Sequence, residues 1–133
     1  MGADVQGGVV TQSFYLPIVG PSLNAWYSGS HWATRKRIAG QWHMMVKLWV
    51  KKYGIVPAKG LVSLEIECSF GPGRKSYDAS NCAATAKLIE DGLVKAKILK
   101  GDGPQYVASI TLRSIPKQKI TGTMVTIEEV ESR

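Results

Sequence analysis

Leu61-Val62-Ser63-Leu64-Glu65-Ile66-Glu67-Cys68-Ser69-Phe70 is the stretch that decides how this chain folds. Val62, Leu64, Ile66 and Cys68 alternate with Ser63, Glu65 and Glu67. A period of two sends one set of side chains into a core and the other toward water, so the stretch reads as a strand buried on one face. Upstream, Ile38, Trp42, Met45 and Trp49 recur at helical spacing, while Arg35, Lys36, Lys47, Lys51 and Lys52 point in other directions. That pattern predicts an amphipathic helix with a basic surface from about Trp32 to Tyr53, with Gly40 as the point where it would break and Gly54 and Pro57 as its end. Downstream, the loop Gly71-Pro72-Gly73-Arg74-Lys75 leads to a second helix that starts at Ser80 or Asn81, either able to cap it, and runs to Lys95. Cys82, Ala86, Ile89 and Leu93 form its apolar stripe, and Ser80, Ala84, Lys87 and Asp91 its reverse side.

The flanking segments complete the layout. Thr11 to Val19 holds Phe14, Leu16 and Ile18 in alternation around Pro17, which predicts a strand with an exposed edge or end, stopped by the turn Gly20-Pro21-Ser22-Leu23-Asn24. Tyr106 to Ser114 and Ile120 to Val130 read as strands joined through Pro116-Lys117-Gln118-Lys119 into a hairpin. Met1 to Gly8 is Gly-rich and weakly patterned, a loose terminus. The order strand, helix, strand, helix, strand, strand means α+β with a mixed or antiparallel sheet: a flexible segment over residues 1–10, then a single domain over 11–133.

Composition narrows the partners. The 133 residues, 44% hydrophobic, suffice for one core and not for two, and a formal charge of +7 favours an anionic partner such as nucleic acid. Cys68 and Cys82 lack a CxxC spacing and lie in apolar patterns, as buried free thiols of a reducing cytoplasm would. The first ten residues do not read as a signal peptide, and no apolar run approaches the roughly 20 residues that span a bilayer. A soluble intracellular protein with no membrane partner is expected.

Asp78, Lys87, Asp91 and Asp102 stand out because they set carboxylates and a lysine around one helix in a basic chain. Carboxylates hold a divalent ion and lysines hold phosphates, which is what a metal-dependent enzyme acting on nucleic acid needs. Each also has a plainer reading. Asp78 is placed as a helix cap, Lys87 and Asp91 as an exposed i, i+4 ion pair, and Asp102 as a turn residue. The run Arg35-Lys36-Arg37 is also a solvated helix face by default, and Trp42, Met45 and Trp49 are core or dimer interface. Trp26 and Tyr27 either stack on an unpaired base or pack on the sheet. His31 and His43 have no partner pattern.

Leu16-Pro17, Pro21-Ser22-Leu23-Asn24 and Tyr27, Ile66-Glu67-Cys68, Asp78-Ala79-Ser80-Asn81, Lys87, Asp91-Gly92-Leu93 and Asp102 together make the chain from Thr11 onward resemble the RusA family of Holliday-junction resolvases, common in phages and prophages. The resemblance implies a small α+β unit that forms a homodimer and cuts four-way DNA junctions with Mg²⁺, for which Mn²⁺ can substitute. It would act in the cytoplasm of a bacterial host. It implies Asp78, Asp91 and Asp102 as metal ligands and Lys87 as the phosphate-binding catalytic cation. Asn24, Arg35, Lys36, Arg37, Arg74, Lys75 and Asn81, with Lys87, would contact DNA. The chain departs from the family where the second aspartate of its D-x-D-N signature is Ser80, and where Gly101 precedes Asp102 in place of a second acid. A branched-DNA-binding protein without catalysis and a small protein-interaction module are the alternatives.

Overall fold

The computed structural model describes residues 2–6, 9–27 and 31–131, with 2–6 and 9 described by backbone alone. The alternating stretch is strand β3 (Val62–Ser69), and every second residue is buried, from Val62 to Cys68. It is flanked by β5 (Gly122–Glu129), antiparallel, and β4 (Val107–Ile115), parallel. Beyond β5 lie β2 (Val9–Leu16) and β1 (Gly2–Gln6), so the sheet order is β1-β2-β5-β3-β4. Phe14 and Leu16 of β2, Val125 and Ile127 of β5 and the buried set of β3 share one face. A one-residue slip of β3 would turn that whole set to water, so its register is fixed by burial.

That apolar face is covered by α2 (Trp32–Lys52) and α3 (Ala83–Lys95), which pack on each other and on the sheet in a two-layer α+β unit. Helix α2 runs through Gly40 without a break, since glycine in a helix interior costs only about 1 kcal/mol and a 21-residue helix packed on the core offsets that. Its buried residues are Trp42, Val46 and Val50, while Ile38, Met45 and Trp49 border the core. The stripe is therefore turned by about one residue from the expected one. Met44 and Leu48 face out. In α3 the stripe Cys82, Ala86, Ile89, Leu93 is buried as its spacing requires, although Ala84, expected on the polar side, is buried too. Neither Ser80 nor Asn81 caps α3. A 3₁₀ turn over Ala79–Cys82 leads into it, and Asp78 is the residue before that turn.

The expected hairpin of the last two strands is not formed. β4 and β5 lie on opposite sides of β3, and residues 116–121 carry the chain across the end of β3. The crossing is tied down by N–H donation from Gln118 to the Phe70 carbonyl (2.9 Å) and from Gly71 to Thr121 Oγ1 (2.9 Å). The exchange follows burial. Val125 and Ile127 can be covered only in the middle of the sheet, whereas β4 exposes Ser109, Ile110, Thr111 and Arg113 and suits an edge. The N-terminal segment also differs from expectation: residues 2–6 pair antiparallel with β2 as the other edge, and Met1, Gly7 and Gly8 lie outside the described residues. Likewise Leu23–Tyr27, read as turn and loop, form the short helix α1, where Ser22 Oγ accepts the Ala25 N–H at 3.2 Å.

Cys68 and Cys82 are free and fully buried, one on β3 and one at the start of α3. Hydrogen bonding to the Cys82 sulfur, then burial, pushes the Cys68 thiol far up, so it stays protonated. Among the described residues no helix is long and apolar enough to cross a membrane.

Candidate metal centre

Helix periodicity and one turn assemble the acidic group. Lys87, Glu90 and Asp91 share a face of α3 at i, i+3 and i+4, and the chain after α3 turns back so that Asp102 reaches the same lysine. Lys87 Nζ lies 3.2 Å from Asp91 Oδ1, 3.2 Å from Asp102 Oδ2 and 3.5 Å from Glu90 Oε1. One oxygen from each of Glu90, Asp91 and Asp102 falls within 4.8 Å of the others, so the group can hold a metal ion. Opposed oxygens at about 2.1 Å from a small hard cation stand about 4.2 Å apart, a separation of the same order. The side chains of Lys87 and Asp102 are more than half exposed (57% and 55%), whereas that of Glu90 is 8% exposed.

Burial works against the Lys87 ammonium, but hydrogen bonds to Asp91 and Asp102 and the charges of Asp91 and Glu90 outweigh it and raise its pKa. Glu90 moves the other way in charge preference. Burial raises its pKa, and the nearby Lys87 offsets this only in part. A carboxyl with a raised folded pKa holds its proton more tightly folded than unfolded. Stability therefore falls as pH rises from the unfolded value through the folded one. Glu90→Gln is expected to match the parent in acid and to gain on it toward neutral pH, measured as urea unfolding over a pH series without divalent ions.

Glu90 is absent from the sequence reading, because it follows Leu88 and Ile89 in an apolar run. The signal that finds it is its i+3 spacing from Lys87, next to Asp91. Gly101, where relatives of the resembled family carry a second acid, lies against Tyr106. A Cβ there would stand 2.9 Å from Cδ2 and Cε2 of that ring, which leaves little room for a side chain.

Asp78 does not join this group. It sits exposed at the opposite end of the helical segment, separated from Asp91 by roughly 20 Å at about 1.5 Å per α-helical and 2 Å per 3₁₀ residue. Among the described residues no close acidic triad includes it. The Asp78 end gathers other expected residues. Helix α1, with exposed Asn24, packs against the 3₁₀ turn that holds Ser80 and Asn81. The backbone between them is pinned at Gly20, whose N–H donates to Thr85 Oγ1 (3.0 Å) and whose carbonyl accepts from the Tyr77 hydroxyl (3.2 Å). Thr85→Val keeps the shape and orphans that buried N–H. It is expected to lower unfolding free energy by about 1–2 kcal/mol in urea titration.

Arg74 and Lys75 are exposed in the loop after β3, and Arg74 Nη2 donates to the Tyr77 hydroxyl (3.3 Å). Lys36 and Arg37 are exposed on the first turns of α2, and the Arg35 guanidinium lies 6.0 Å from the centre of the Tyr27 ring. Trp26 packs against the core while Tyr27 is exposed. His31 caps α2, its Nδ1 accepting the Ala33 N–H. Neither a protein-family model nor a curated protein matches the chain.

Proposed function

We propose that the protein is a divalent-metal-dependent, structure-selective endonuclease that resolves four-way DNA junctions and acts as a homodimer in the host cytoplasm. The observation that carries this reading is the convergence of Asp91, Asp102 and Glu90 on Lys87 in a chain of net charge +7. Three carboxylates form a hard-oxygen donor set that suits Mg²⁺ or Mn²⁺. A bound ion would supply an activated water and neutralise charge on the scissile phosphate. Lys87, released from the carboxylates that an ion would occupy, is long enough to place its ammonium on a phosphate oxygen. Arg35, Lys36, Arg37, Arg74 and Lys75 add salt-dependent affinity for the flanking backbone without reading bases.

A second reading has its own support. Ser80 stands at a signature acid position, and Asp78 is a helix length from the carboxylate group, so the fold also suits a branched-DNA-binding protein that does not cut. Cleavage of a labelled four-way junction against a linear duplex of matched sequence, in Mg²⁺ and in Mn²⁺, separates the two. Paired symmetric nicks in the junction alone are the expected result. Tight junction binding with no nicks in either metal rejects the nuclease reading and favours the second.

A further inference from the structure

The two parallel strands β3 and β4 end side by side, and the loops that leave them carry a net positive charge. Residues 70–78 contribute Arg74 and Lys75, with Asp78 as the last residue and sole carboxylate of that loop, and residues 116–121 contribute Lys117 and Lys119 without a carboxylate. The loops are almost 40 residues apart in sequence yet line one open groove of about 570 Å³, with Arg74 and Lys75 on one wall and Lys117 on the other. They are locked together. Besides the two hydrogen bonds from Gln118 and Gly71, a Cβ on Gly71 would stand 2.9 Å from the Ile120 carbonyl carbon and 3.0 Å from the Thr121 nitrogen, so the backbones touch. The Arg74 guanidinium is held from behind by Tyr77, whose own hydroxyl is bonded to Gly20 and whose carbonyl accepts from Ser114.

We infer that this two-loop platform binds the phosphodiester backbone of nucleic acid and anchors the strand that reaches the acidic group. Three cations on a shallow groove, with Lys119 in the same loop as Lys117, suit a polyanion rather than a small buried ligand, and loops whose backbone is already locked lose less freedom on binding. The placement is directional. The platform lies past the end of β4, while Lys87 and Glu90 of the acidic group share a hollow with Ile110 and Leu112 in the middle of that strand. Nucleic acid laid along that edge meets both, whereas Arg113 is paired with Glu65 (3.1 Å) on the other face of the sheet. The inference rests on the nuclease reading for the role of the acidic group, and on the loops alone for binding.

The test is binding of a labelled duplex and a labelled four-way junction in EDTA across a salt series, with full-length parent, Lys75→Glu/Lys117→Glu, and Lys36→Glu/Arg37→Glu on α2. The loop pair is expected to lower affinity about 100-fold and to reduce the log–log salt slope by about two, as loss of two phosphate contacts requires. Lys75→Gln/Lys117→Gln should move both readings the same way by less, with an unchanged melting temperature. Parent-like affinity and slope in the loop variants overturn the platform. So does unchanged DNA binding joined to lost capture of anionic phospholipid vesicles or of a polyglutamate peptide. Because EDTA removes any need for cutting, a parent that never nicks junctions in Mg²⁺ would reject the nuclease reading and leave this result standing.

Discussion

Asp102→Asn is expected to lower junction cleavage at least about 100-fold in Mg²⁺, with the fold intact and junction binding in EDTA unchanged or slightly tighter. The size follows from the ligand count. Changes one shell further from a metal already lower affinity or activity by about 10–100-fold, and Asp102 offers one of three carboxylates. The fold survives because Asp102 is 55% exposed and meets Lys87 in water, where such a pair contributes only a few tenths of a kcal/mol. Binding holds or improves because a negative charge facing the phosphates is removed. Asp91→Asn should behave alike. Asp78→Asn is the informative comparison, since it lies at the other end of the helical segment. Near-parent cutting by Asp78→Asn is expected. Loss of cutting in Asp78→Asn with retention in Asp102→Asn would move the metal site to the 3₁₀ turn and reject the assignment made above.

Gly92→Val should lower unfolding free energy by about 3 kcal/mol, near the upper end for overpacking a close-packed core, even though valine has the better helix propensity. Gly92 lies on α3 where it crosses α2, and a Cβ there would stand 2.9 Å from both Cβ and Cγ2 of Val46. Val46 is fully buried and has nowhere to turn. The helices must part, and parting them opens the layer that covers the sheet. Val46→Ala should recover part of the loss, so that the double variant is more stable than the sum of the two singles predicts. Additive effects in urea unfolding would mean that the two helices do not meet at this point. The same displacement shifts Asp91 next door, so Gly92→Val is also expected to weaken Mn²⁺ binding.

Sequence alone determined the elements whose periodicity is strong. The two-residue alternation of Val62 to Cys68 and the apolar stripe from Cys82 to Leu93 are properties of side-chain order, and burial then has one solution for each. It also determined the Lys87–Asp91 pairing, because i, i+4 neighbours meet wherever a helix forms. What only the tertiary structure decided are the relations between distant segments. β4 and β5 are adjacent in sequence and look like a hairpin, but β5 has the more buried face and takes the inner place, which forces the 116–121 crossing and brings Lys117 to Arg74. Asp102 reaches Lys87 through the turn after α3, while Asp78, closer to Lys87 in sequence, is held away by the rigid rise of the helix. Glu90 joined the group because its backbone position lies in an apolar run while its carboxylate reaches the lysine at the edge of the core. Periodicity is a local property of the chain. Strand order and the meeting of remote charges depend on which apolar faces compete successfully for the interior, and no single segment encodes that outcome.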